Sequence, residues 1–196
     1  MSLVLTESNE PKRFWIEQEF LSEAVRNTLI ASDAIIAPLL NFREGVPVSF
    51  HQGTLSFFDY LQNSLIEAGL NASICAPDNE YYEIALHAKA HRLANVVVTY
   101  AIAPLVISLM ANYIYDELKA KPDDTISTSI TLEHQDCKTY QIEYDGKAHD
   151  FPIVIEKVKE LSEECKEKEN GKQDEEIEED GSKMNGNRGE PDVHLV

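Results

Sequence analysis

Positive charge is scarce in this 196-residue chain. Its 17 Lys and Arg residues stand against 35 Asp and Glu residues, which gives a net charge of −18. Phosphate groups bind proteins through Lys and Arg side chains that displace counterions, so this chain repels nucleic acid and anionic lipid. The composition therefore argues against direct nucleic-acid binding and favours a protein partner with a basic surface.

Motifs that bind nucleotides or carry out catalysis are also missing. The chain has only 8 glycines, and none of them forms the G-x-G-x-x-G or Walker A pattern whose backbone amides hold a phosphate. The G-x-S-x-G and H-E-x-x-H patterns of hydrolases do not occur either. We therefore expect no cofactor, and a nucleotide-dependent enzyme is disfavoured.

Cysteine is infrequent and widely spaced. Cys75, Cys137 and Cys165 form no C-x-x-C pair, and the first residues lack the apolar pattern of a secretory leader. Disulfides persist in oxidising compartments and are rare in the cytosol. The sequence therefore predicts reduced thiols and a cytoplasmic location.

The hydrophobic pattern predicts an α/β fold, with α+β as the alternative. Helical spacing of apolar residues marks one helix near residues 14–32 and another from Thr54 to Gly69, with Thr54 or Ser56 as its N-cap. A third helix is predicted to begin at Asp78, and a last one follows Asp150.

Strand patterns predict a small mixed sheet flanked by these helices. Parallel strands near 72–76 and 95–103 are expected at its centre. Apolar and polar residues alternate over 126–144, which predicts a C-terminal β-hairpin extending one side of the sheet.

Composition then divides the chain into three parts. We predict an N-terminal helical segment at 1–49, an α/β domain at 50–168 and a disordered acidic tail at 169–196. The tail combines charge with Gly, Asn and Pro and has too few apolar residues to offset chain entropy.

An uncharged apolar run at 93–115 allows two interpretations. Its length suits a membrane span, which needs about 20 apolar residues. Pro104 at its centre instead suggests a strand over 95–103 followed by a helix that begins at the proline. The second interpretation is favoured, because the break produces two elements of ordinary length. A single-span membrane regulator remains the alternative.

A possible metal site lies in the segment EYYEIALHAKAH. On the predicted helix, Glu80, Glu83, His87 and His91 share one face, and histidines four residues apart can bind a divalent metal. We take Glu83, His87 and His91 as candidate ligands. A solvated polar face accounts for the same spacing.

Cys75 is the candidate nucleophile. It is expected at the end of a strand, just before a helix N-terminus that would stabilise a thiolate. His51 or His87 would have to serve as its base. A small buried residue that closes a strand explains Cys75 equally.

Aromatic residues suggest an interface. In each of the pairs Tyr81–Tyr82 and Tyr113–Tyr115, one ring is expected at a helix surface. Clustered exposed aromatic side chains mark interfaces. The four tyrosines are therefore candidate interface residues of a homo- or hetero-oligomer.

Three stretches carry a resemblance: APDNEYYE, PLVISLMANYIYDEL and the hairpin ISTSITLEH…YQIEYDG. Between about Thr54 and Leu161 the chain resembles small bacterial α/β proteins found beside larger effectors in defence-type operons. That resemblance implies an accessory role in an antiviral defence complex. We therefore predict a non-catalytic adaptor or subunit that binds protein, with an enzyme using Cys75 or the Glu83/His87/His91 face as the alternative.

Overall fold

The computed structural model describes residues 1–77, 81–85, 90–133 and 137–165. Within these ranges the chain has a mixed α/β fold, as the sequence predicts, with five helices, a seven-stranded main sheet and a small three-stranded sheet. The strands are β1 (Ser2–Glu7), β2 (Ala34–Ala37), β3 (Leu39–Arg43), β4 (Val46–His51), β5 (Ala72–Ile74), β6 (Glu83–Ile84), β7 (Ala90–Arg92), β8 (Asn95–Thr99), β9 (Thr125–Glu133) and β10 (Tyr140–Lys147). The helices are α1 (Lys12–Ile16), α2 (Glu23–Ala31), α3 (Thr54–Glu67), α4 (Ala103–Asn112) and α5 (152–165).

The main sheet has the strand order β1-β10-β9-β8-β2-β5, and β7 pairs with β9 beside the start of β8. β2 runs antiparallel to β8 and parallel to β5. The prediction of parallel central strands near 72–76 and 95–103 was therefore wrong, because β2 lies between them and they run in opposite directions. The sequence did not predict β2 as a strand. Its four residues, Ala-Ile-Ile-Ala, are all buried, so they lack the alternation of apolar and polar residues that marks a half-exposed strand.

Two cores lie on opposite faces of this sheet. Ile36 and Val96 face the larger core with the apolar sides of α3, α4 and α5, whereas Ile35 and Val97 face a smaller one with Trp15. Successive residues of a strand point to opposite faces. The central strands β2 and β8 are therefore sandwiched between helices.

The C-terminal hairpin is confirmed. β9 and β10 pair antiparallel with Ile130 opposite Ile142 and Thr128 opposite Tyr144. Ile130, Ile142 and Tyr144 are almost completely buried against α5, as the predicted apolar face requires. The predicted connection between the strands, at 135–137, lies outside the described residues except for Cys137.

The apolar run at 93–115 is divided into a strand and a helix, as the favoured interpretation predicts. It contains β8, which ends at Thr99, and then α4, in which Pro104 lies in the first turn. Proline is tolerated there because the first N–H groups of a helix have no intrahelical acceptor. Among the described residues, we find no helix whose length and apolarity would suffice to cross a bilayer.

The N-terminal segment 1–49 is less helical than predicted. The single helix expected near 14–32 is two helices, α1 and α2, because the Ser22 side chain accepts a hydrogen bond from Val25 N and starts a new helix. The same segment also supplies β1 and β2 to the main sheet and β3 to the small one.

The helix predicted to begin at Asp78 is contradicted in its described parts. Residues 83–84 form β6, which pairs with β4, and residues 90–92 form β7, which pairs with β9. Sheet pairing satisfies these backbone groups in place of helical hydrogen bonds. Residues 78–80 and 86–89 lie outside the described residues, as does the predicted tail at 169–196.

Two of the three cysteines are joined, contrary to the prediction of reduced thiols. Cys137, just before β10, forms a disulfide with Cys165 at the end of α5, with a Cα–Cα distance of 5.8 Å. The bond fastens the last helix to the hairpin that it covers. Cys75 is free and buried, as expected of a small residue that closes a strand.

Removal of this disulfide should destabilise the protein. The bond closes a loop of 28 residues, which in the chain-entropy account contributes about 3–4 kcal/mol to the free energy of unfolding. We expect the double variant Cys137→Ser/Cys165→Ser to melt about 10 °C below the wild type. Reductant should lower the wild-type midpoint by a similar amount and leave that of the variant unchanged. A variant that melts with the wild type would contradict the cross-link.

Candidate functional site

The outer edge of β1 is the first candidate site. β1 pairs with β10 on one side, with Leu3 opposite Tyr144 and Leu5 opposite Ile142. Among the described residues no strand pairs with its other side. Within the described part of the chain, the outer backbone groups of β1 therefore have no strand to pair with.

Register shows which backbone groups face outward. Ser8 N donates to Thr139 O at 2.9 Å, one step beyond the last pair of the ladder. Because alternate residues of an antiparallel strand bond to the same neighbour, Val4 bonds to β10 like Ser8. Leu3 and Leu5 then direct their N–H and C=O groups away from the sheet.

The side chains of β1 do little to block this edge. Val4 is 42% and Leu5 38% exposed, and the strand contains neither lysine nor proline, which usually protect edges. Its single charge is Glu7, whose carboxylate lies 2.8 Å from Lys138 Nζ. An exposed, nearly uncharged edge of this kind is suited to strand addition.

A pocket beside the start of α3 is the second candidate site. Its volume is about 250 Å³. Phe57, Leu93 and Tyr113 contribute apolar surface, and His51 and Arg92 contribute polar groups. Polar and apolar groups contribute about equally to its lining, which is more polar than in most small-molecule sites.

His51 is the chemically distinctive residue of this pocket. Its Nδ1 atom is buried and has no hydrogen-bond partner in the part of the chain that the structure describes. Burial, and to a smaller extent the positive charge of Arg92, lower the pKa of the imidazole. His51 is therefore neutral near pH 7, and its Nδ1 atom can form a hydrogen bond with a ligand. The exposed Arg92 can bind an anionic group.

The predicted metal ligands are not brought together on a helix. Glu83 lies in β6 and His91 in β7, while His87 lies outside the described residues. His91 Nε2 lies 3.6 Å from an Asp124 carboxylate oxygen. No group of three or more possible metal-binding side chains occurs within the described ranges.

Glu83 instead caps helix α3. Its carboxylate accepts hydrogen bonds from Gly53 N and Leu55 N, each at 3.0 Å, and from the Tyr81 hydroxyl at 2.9 Å. The predicted cap at Thr54 or Ser56 was wrong, since Gly53 occupies the N-cap position with a φ of 86°. A glycine has no side chain to accept these N–H groups, so a carboxylate from β6 does so.

Cys75 is held in an apolar environment. Its side chain is fully buried next to Trp15, with Sγ 3.7 Å from the Trp15 carbonyl oxygen. Burial raises the pKa of the thiol to about 12. The nucleophilic thiolate is therefore almost absent at neutral pH.

The predicted tyrosine interface is only partly exposed. Tyr82 and Tyr115 are 51% and 40% exposed, as expected for one ring of each pair. Tyr113 is buried and packs against Phe57, with ring centroids 5.1 Å apart. Tyr81 stacks on Phe50 at 4.8 Å. Tyr113 is therefore a core residue of this chain, and the interface role of the four tyrosines stays a prediction.

Comparison with known proteins finds no match: no family model, no curated protein and no solved structure is similar to this chain.

Thiol reactivity should distinguish a buried from a catalytic Cys75. Because the thiol is buried and protonated, we expect no labelling by iodoacetamide at pH 8 in the native protein. In urea without reductant one thiol per chain should react, and three should react after reduction, since Cys137 and Cys165 are bonded. Fast labelling of native Cys75, measured by peptide mass spectrometry, would contradict this assignment.

The pH dependence of stability should report on His51. Its folded pKa lies below the unfolded value of about 6.5, so the unfolded chain binds more protons as the pH falls through that value. Stability is therefore lost below about pH 6.5. We expect His51→Gln to show a smaller decrease in melting temperature than the wild type between pH 7.5 and 5.5. An equal decrease in the wild type and the variant, measured by thermal unfolding, would contradict a contribution from the buried His51.

Proposed function

We propose that this protein is a non-catalytic accessory subunit that binds another protein through the outer edge of β1. The observation that supports this most is the pair of outward-facing backbone positions, Leu3 and Leu5, on an edge without the usual protection. Strand addition obtains its affinity from main-chain hydrogen bonds, which such an edge supplies.

Charge favours a basic partner. Glu143 and Asp145 are exposed on β10, opposite Val4 and Ser2 of β1. A strand added outside β1 would lie about 10 Å from β10, within reach of long Lys and Arg side chains. The overall charge of −18 would attract the same partner from a distance. If the sequence-based resemblance to accessory proteins of defence-type operons holds, a larger effector is such a partner.

The enzymatic alternative receives less support at its predicted residues. Cys75 is buried and protonated, and the Glu83 carboxylate is engaged with helix α3. The structural roles of Cys75 and Glu83 account for their presence without a catalytic function.

The cytoplasmic location stays a prediction, and the state of Cys137 and Cys165 bears on it. Cytosolic thiol reductants keep most cysteine pairs reduced, whereas a disulfide persists in oxidising compartments. Alkylation at the moment of cell lysis, followed by mass spectrometry, would show which state the pair has in the cell.

Photo-crosslinking in the native host tests the proposed interface. With a photoreactive residue at Leu5, we expect a crosslink to a second protein. The same residue at Ile66, which is 57% exposed on α3, should give none. Equal crosslinking from both positions would contradict the proposal.

Once crosslinking has identified the partner, a proline substitution in β1 tests whether the partner binds by strand addition. Leu5→Pro removes the outward N–H, whereas Leu5→Ala shortens the same side chain and retains it. We expect the proline variant to bind at least about tenfold more weakly than the alanine variant, because a strand hydrogen bond at the interface is lost. Equal affinities, measured by titration calorimetry, would rule out main-chain pairing at this edge.

A further inference from the structure

We propose that, in the absence of its partner, a second copy of this chain occupies the β1 edge. Two β1 strands pair antiparallel about a two-fold axis at Val4 and join the two main sheets. This inference rests on the proposed use of the β1 edge as the interaction surface, and it commits that edge to a specific occupant.

Self-complementarity of the strand sequence is the first argument. Ser2–Thr6 is S-L-V-L-T, which is nearly the same in both directions. In an antiparallel pair centred on Val4, Leu3 faces Leu5 of the other copy and Ser2 faces Thr6. Apolar residues then meet apolar residues, and hydroxyl groups meet hydroxyl groups.

The backbone fits the same register. Leu3 and Leu5 both direct N–H and C=O outward, and in this pairing they face each other, so four main-chain hydrogen bonds form. A shift of one residue would set outward-facing groups against inward-facing ones. A shift of two residues toward the N-terminus would oppose Ser2 to Val4 and shorten the overlap. A shift of two residues toward the C-terminus would keep the overlap but oppose apolar Leu3 to the charged Glu7.

The side chains extend an existing core. Leu3 and Leu5 lie opposite Tyr144 and Ile142, which are buried on the helix-covered face of the sheet, and Leu3 is already half-buried against that core. Leu5 of a second copy would pack beside Leu3 on this face. Exposed apolar surface is thereby removed from water on both copies.

Electrostatics permit this contact despite the high net charge. The ion pair with Lys138 compensates Glu7, and no other charge lies on the strand. Glu143 and Asp145 lie on β10, and two β1 strands would separate the β10 strands of the two copies. The two β10 strands would therefore lie about 14 Å apart. That distance exceeds the screening length of about 8 Å at physiological salt.

The contact is small, and this determines its strength. Two paired six-residue strands fall below the roughly 1,200 Å² of a stable interface. We therefore expect a weak dimer with a dissociation constant on the order of 100 μM. A basic partner strand would displace the second copy, because β1 itself offers no positive charge to Glu143 and Asp145.

Sedimentation equilibrium over about 5–500 μM tests the pairing. Because Val4 faces itself across the axis, Val4→Lys and Val4→Glu should each weaken the dimer at least about fivefold, since like charges are then opposed. An equimolar mixture of the two variants should restore dimerisation. Ile66→Lys and Ile66→Glu, on exposed α3, should behave as the wild type. A wild type that is monomeric throughout, or variants that dimerise unchanged, would overturn the inference.

Cysteine cross-linking tests the register independently. Val4→Cys should form a cross-linked dimer on mild oxidation, because directly opposed residues of a non-hydrogen-bonded pair have Cα atoms about 4.5 Å apart. Ser2→Cys and Thr6→Cys should cross-link only when mixed. Any other pattern in folded protein would overturn this register. If the chain dimerises but Leu5 crosslinks to no second protein, the self-pairing inference stands and the proposed function fails. If Leu5 crosslinks to a second protein but the chain does not dimerise, the proposed function stands and the self-pairing inference fails.

Discussion

The fold depends on β2, the short strand that connects β5 to the rest of the main sheet and contributes to both cores. Its residues Ile35 and Ile36 are fully buried, and they point into different cores. β2 holds β5 on one side and β8 on the other. Without it, β5 would lose its connection to β8, and the smaller core would lose Ile35. In a strand buried on both faces, every side chain is removed from water, whereas in a half-exposed strand only alternate side chains are. The four residues of β2 therefore bury as much apolar surface as a half-exposed strand of about twice that length.

The sheet is covered unevenly, and this places the candidate sites. α3, α4 and α5 cover one face, and α1 and α2 cover the other only beside β2 and β8. Toward β10 and β1 the second face carries exposed Glu143, Asp145 and Val4. The edge strand β1 therefore lies outside the smaller core. Interaction by strand pairing is consistent with that position. The His51 pocket lies where β4, β7 and α3 meet.

Polar groups that resemble catalytic residues in the sequence serve the fold instead. Glu83 accepts the free N–H groups at the start of α3, and Cys75 fills a space beside Trp15. Neither role could be recognised locally, because each depends on a residue at least twenty positions away in sequence. His51 is the exception: its buried Nδ1 atom has no assigned partner among the described residues, and neither spacing nor composition singled it out as more than a possible base.

The sequence by itself determined the elements with strong local patterns: helix α3, the β9–β10 hairpin, and the division of the apolar run at Pro104. Hydrophobic periodicity, helix capping and the backbone restriction of proline act over a few residues, so they can be recognised in a single sequence.

Tertiary structure decided the features that depend on residues distant in sequence. β2 and β7 became strands because β8 and β9 satisfied their backbone groups, Cys137 met Cys165 because α5 packs on the hairpin, and Tyr113 became buried because Phe57 lies against it. The open edge of β1 belongs to this second group, since a strand becomes an edge only when the order of the whole sheet is fixed.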